Sequence, residues 1–183
     1  MTVARTGDGK AVERLAIASE RMAWLYSEAW LPVFRYAFLL LRHREDAEDA
    51  AAEAFARAHA AWASGKGPTG APLPWLLLIT RRVVIDRRRR RRHRLVAWLP
   101  LIESRDRADD AGMADLAKAE VWIWFEQLSR VLPARQREAV ILRYQFDLPD
   151  DEIARVMGLS ATGVRTLVSR AMISLRTHPE IVR

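Results

Sequence analysis

No cysteine occurs among the 183 residues, which excludes disulfides, thiolate metal sites and cysteine nucleophiles. Long apolar runs are also missing. The longest, LPVFRYAFLLL at 31–41 and PLPWLLLI at 72–79, fall short of the roughly 20 residues that a membrane-spanning helix needs. The opening MTVARTGDGKAVER lacks the apolar stretch of a secretory leader. The expectation is a soluble, cytoplasmic protein with no membrane insertion. No P-loop, HExxH or GxSxG pattern is present, and the four histidines (His43, His59, His93 and His178) are scattered. Neither an enzyme nor a metal or cofactor site is therefore expected.

What is abundant is arginine, and in one place. The formal net charge is +7, yet RRVVIDRRRRRRHR at 81–94 alone holds nine arginines against one aspartate, a net of +8, leaving −1 for the rest of the chain. Such a block points to an acidic partner: nucleic acid, an anionic membrane face or an acidic protein. Half of the residues are apolar, enough for packed cores rather than a disordered polyampholyte.

The regular patterning has helical period. Asp46 suits the N-cap of a helix reaching about Trp62, with Asp49 at its third position. Ala47, Ala50, Ala51, Ala54, Phe55, Ala58 and Trp62 form its apolar face, and Asp49, Glu53 and Arg57 its opposite stripe. SGKGPTGAPLP at 64–74 breaks the pattern, and Pro74 suits the first turn of a second helix that runs into the arginines. Upstream, residues 12–41 offer one or two helices, broken or bent near Pro32. Mixed charge, Pro100 and Gly112 mark a flexible linker over 95–115, after which helical patterning resumes. The fold expected is all-α: two small helical modules, 10–94 and 116–178, joined by that linker.

DDEIARVMGLSATGVRTLVSRA at 150–171 has the spacing of a helix-turn-helix. Ala154 lets the second helix approach the first, Gly158 permits the positive φ that ends the first, and Ser160 caps the second. Val164, Leu167 and Val168 turn to the core, leaving Thr162, Arg165, Thr166, Ser169 and Arg170 able to reach base edges and phosphates. The alternative is a helical hairpin with an ordinary solvated face. Gly163 inside the second helix costs about 1 kcal/mol of propensity relative to alanine.

LSRVLPARQREAVILRYQFDLPDDEIA, with Leu132, Pro133, Arg135, Gln136, Arg137 and Glu138, resembles the fourth conserved region of bacterial sigma factors. HREDAEDAAAEAFARAHAAW and PWLLLITRRVVIDRRRRR resemble the polymerase-holding and promoter-melting helices of region 2. With these two regions in order and a short linker, the chain is similar over about 22–176 to the extracytoplasmic-function (ECF) sigma factors.

The resemblance implies roles for the matching positions. Asp46, Glu48, Asp49 and Glu53 would bind core RNA polymerase; the alternative for Asp46 and Asp49 is simply to favour the positive end of their helix. Trp75, Arg81 and Arg82 would meet the minus-ten element of promoter DNA, with core burial the alternative for Trp75. Arg87 and Arg88 would extend that DNA-binding helix among phosphates. Thr162, Arg165, Thr166, Ser169 and Arg170 would read the minus-thirty-five element, with Arg143 on the backbone. An anti-sigma factor is the expected regulator. Ala52, Arg82 and Leu167 depart from residues common in the family; Arg82 and Leu167 bear on base specificity. A stand-alone dimeric helix-turn-helix regulator is the alternative function, but it leaves the acidic stripe and the arginine helix unexplained.

Overall fold

The structure, a computed structural model, describes residues 6–98 and 127–178. The protein is all-α, and every regular element among the described residues is a helix. Helices α1 (Thr6–Leu41), α2 (Arg44–Ala63) and α3 (Pro72–Trp98) fall in one compact unit. In the second unit, residues 127–131 are helical (α4) and are followed by α5 (Ala134–Tyr144), α6 (Asp150–Met157) and α7 (Ala161–Arg176). Among the described residues no helix is long and apolar enough to cross a membrane.

Helix α1 is continuous, and Pro32 neither breaks it nor divides it in two. An interior proline costs about 3 kcal/mol or more. Here the residues that follow it, Val33, Phe34, Tyr36, Ala37 and Phe38, are all buried, and α1 packs on α3. That burial holds the helical path across the missing hydrogen bond. Arg42, at φ 57°, then ends α1 in the left-handed region.

The start expected for α2 needs correcting. The helix begins at Arg44, so Glu45 and Asp46 lie in its first turn. Asp46 is therefore not the N-cap, and Asp49 sits a turn further in than its expected third position. The buried face of α2 is largely alanine: Ala47, Ala50, Ala51, Ala54 and Ala58 are fully buried, with Phe55 5% exposed beside them. Trp62 is half-buried rather than core. Helix α3 starts at Pro72 and runs to Trp98, past the boundary expected at residue 94. Both Pro72 and Pro74 lie in its first turn, where backbone N–H groups have no intrahelical acceptor. Most of the expected linker lies outside the described residues.

In the second unit α7 packs on both α5 and α6, and α5 also meets α6. The buried side chains there include Leu128, Val140, Leu142, Ile153, Val156, Met157, Val164 and Leu175.

Candidate nucleic-acid and partner surfaces

The turn between α6 and α7 follows from its residues. Gly158 takes φ 66° and ψ 46°, a left-handed conformation that a side chain disfavours. The Leu159 N–H reaches back to the Ala154 carbonyl at 2.9 Å, closing the end of α6. Ser160 is the N-cap of α7, its hydroxyl accepting from the Gly163 N–H at 3.1 Å. A Cβ at Gly163 would come within 3.3 Å of that same oxygen, so the glycine eases the cap that its own amide completes. Val164 and Val168 are buried as expected, while Leu167 is only half-buried.

This places Thr162, Arg165, Thr166, Ser169 and Arg170 on one solvent-facing side of α7, where all five are exposed. Together they line a shallow depression of about 370 Å³. Arg165 is oriented from two sides: one nitrogen lies 3.7 Å from Asp150, and another donates to the Thr162 hydroxyl at 3.2 Å. Asp150 also pairs with Arg143 of α5. One carboxylate at the start of α6 thus links two arginines expected at DNA. Sequence reasoning missed Asp150, because its partners are a helix away on either side and no local spacing signals them.

In the first unit, Trp75 is half-buried and meets Trp62 edge-on, ring centroids 5.5 Å apart. Gly67 lies so close to Trp62 that a Cβ there would be 2.3 Å from the indole, so the glycine-rich loop is held against this pair. On α3, Arg82 is exposed and Arg81 half-buried, while Val83 and Val84 point into the core.

The acidic stripe of α2 and the arginines of α3 meet. Glu53 accepts from Arg57 through one oxygen at 2.6 Å and from Arg87 through the other at 2.9 and 3.0 Å. Arg87 also lies 3.5 Å from the Asp49 carboxylate and donates to the Asp49 carbonyl at 3.1 Å. Arg57 continues the chain to Asp86 at 3.2 Å. Burial works against the charge of Glu53, but hydrogen bonds from Arg87 and Arg57, and their charges, outweigh it and hold the carboxyl below its ordinary range. Burial likewise opposes the charge on Arg57, and its bonds to Asp86 and Glu53 raise its pKa on balance. Asp49 remains the open end of the stripe, its side chain 73% exposed against 29% for Glu53. Asp46 and Glu48 are half-buried. Arg88 donates to the Leu40 carbonyl at the end of α1. The Glu53–Arg57 pair was legible as an i,i+4 spacing; its extension to Asp86 and Arg87 was not.

The described residues thus form an arginine-bearing three-helix unit and a helix-turn-helix unit, and comparison with known proteins defines the class to which they belong. The family model described as Sigma-70 region 2 matches residues 25–94, and that described as Sigma-70, region 4 matches 123–175, together about two thirds of the chain. The chain is 30% identical over 143 residues to the ECF RNA polymerase sigma factor SigJ of Mycobacterium tuberculosis, covering 75% of this chain and 44% of that protein. It is 33% identical over 146 residues to the "Probable RNA polymerase sigma factor RfaY" of Xanthomonas campestris pv. campestris, covering 78% and 36% respectively. The chain thus spans less than half the length of these curated relatives. Among solved structures, CnrH in complex with the cytosolic domain of CnrY has a similar fold (TM-score 0.62, 19% identity, 93% of this chain and 94% of that one). So does the sigma factor RpoE in complex with the anti-sigma factor NepR from Bartonella quintana (TM-score 0.63, 20% identity, 87% and 98%). The chain belongs to the sigma-70 family, in its ECF group.

Proposed function

We propose that this protein binds core RNA polymerase, directs it to specific promoters and helps melt the DNA there, performing no chemistry of its own. The observation that carries the reading is the side of α7 on which Thr162, Arg165, Thr166, Ser169 and Arg170 are all exposed around one depression. Hydroxyls and guanidinium groups on a capped helix match what the major groove presents, donors and acceptors on base edges flanked by phosphates. In this reading that side reads the minus-thirty-five element, with Arg143 near the backbone. Trp75, Arg81 and Arg82 meet the minus-ten element. The stripe of Asp46, Glu48, Asp49 and Glu53 faces a basic surface of the polymerase, with Asp49 as its most open carboxylate. The regions divide as 10–94 and 116–178 around a linker.

An anti-sigma factor as regulator, and work in the cytoplasm, belong to the same proposal. Its support is the likeness in fold to RpoE, which was solved in complex with such a factor.

The test is co-elution of the full chain with core polymerase lacking any sigma subunit. Asp49→Arg runs alongside, because reversal at Glu53 would break close contacts with both Arg57 and Arg87, whereas the Asp49 carboxylate makes only the 3.5 Å approach to Arg87. Co-elution lost in the variant is the expected result. If the wild-type chain ignores the polymerase and instead shifts duplex DNA as a dimer, it is a stand-alone regulator and the proposal fails.

A further inference from the structure

The arginine run poses an electrostatic problem within the proposed function. Arginines packed at 81–94 repel one another, and a helix presents them on every side. Some must therefore face the protein. On α3 the inward side carries Leu76, Leu77, Thr80, Val83 and Val84, all fully buried, and Arg87 follows Val83 and Val84 by four and three residues. Arg87 is thus drawn to the protein side by helical periodicity. There it finds both Glu53 and Asp49 of α2. Arg82, Arg89 and Arg90 are exposed.

We infer that Arg87 is a positioning residue rather than a DNA contact: with Arg57 it clamps Glu53 from two sides, ties α3 to α2 and sets the acidic stripe, leaving Arg82, Arg89 and Arg90 to meet phosphate. A planar guanidinium suits this work, because its fork reaches the Glu53 carboxylate through Nε and Nη2 while Nη1 approaches Asp49. Arg88 makes a parallel tie on the other neighbour, giving α1 a donor for its C-terminal Leu40 carbonyl. Arg87 and Arg88 therefore join helices to one another, and the acidic side chains that receive Arg87 belong to the stripe proposed to face the polymerase.

The inference rests on the sigma reading for its DNA half and on geometry alone for its clamp half, so the two are tested separately. On the isolated full chain, carboxyl titration of Glu53 by NMR should show its midpoint rising in Arg87→Ala and partly restored in Arg87→Lys, whose single ammonium cannot reproduce the fork. Arg89→Ala should leave that midpoint in place. On a duplex carrying an unpaired bubble, Arg89→Ala should lower the log–log salt slope of binding by about 0.7–0.9, the share of one phosphate contact, and Arg87→Ala should leave it unchanged. A Glu53 midpoint indifferent to Arg87, or a slope that falls in Arg87→Ala as much as in Arg89→Ala, overturns the inference. Should the wild-type chain bind neither DNA nor polymerase, the sigma reading fails, while the Glu53 titration still decides the clamp.

Discussion

In the first unit Glu53 is gripped by arginines from its own helix and from α3, and the contacts continue to Asp49 and Asp86. In the second, Arg165 leans on Asp150 and Thr162 while Ser169 and Arg170 stand in solvent. The clamp on Glu53 lies on a helix whose own buried face is made of small side chains. Helix α2 offers a face of five fully buried alanines and Phe55. Alanine removes little apolar area from water, about 0.8 kcal/mol per buried methylene-sized group, so polar ties between helices add usefully to a thin apolar contact. The second unit buries Leu128, Leu142, Ile153, Val156, Met157 and Leu175. Each is worth about 1.5–3 kcal/mol on full burial, as are Leu25, Leu76 and Leu77 of the first unit, and the polar side of α7 is left exposed.

The sharpest way to break this comparison is to alter core size in opposite directions. Leu142→Ala, at a fully buried site, should destabilise the second unit by about 2–5 kcal/mol in thermal unfolding. Ala54→Leu should destabilise the first by about 1–3 kcal/mol through overpacking. An Ala54→Leu protein as stable as wild type would mean that the alanine face has room to spare and the contrast is wrong.

On the recognition side, Arg165→Ala should reduce discrimination between selected and random duplex DNA by about 1–3 kcal/mol while non-specific binding persists; equal loss on both sequences would make Arg165 a phosphate contact. Removing the cap with Ser160→Ala should cost about 1 kcal/mol of stability. Ser169→Ala, exposed and far from the cap, should stay within about 0.5 kcal/mol of wild type.

The smallest effect is pH dependence in the first unit. Folding lowers the pKa of Glu53 from 4.5, so its contribution is complete above pH 4.5 and is lost as acid takes the pH down through the folded value. Glu53→Gln should flatten that part of the acid-unfolding profile and leave the neutral plateau otherwise similar in shape. An unchanged profile would show that the arginines do not hold the charged carboxylate.

Local chemistry accounts for what the sequence made legible. The turn at Gly158 and the cap at Ser160 depend on residues within a few positions of one another, and the five outward residues of α7 follow from helical period once the helix start is known. The same period identified the buried alanines of α2. Of the one or two helices expected around Pro32 a single one forms, where distant packing overrules a local rule: the buried residues after the proline carry α1 through it. A capping preference also gave way, since α2 starts two residues ahead of Asp46. Trp75, with core burial and base stacking both open, proved half-buried against Trp62.

By itself, then, the sequence determined the helical class, the helix-turn-helix and which side of α7 is polar, because these depend on side chains within one or two turns of each other. Tertiary structure alone decided that Arg87 meets Glu53 and Asp49, 34 and 38 residues away in the chain, and that Asp150 joins Arg143 to Arg165. Charge attraction acts through space and carries no signature in spacing, so the partners of an arginine are known only when the helices that bear them have packed.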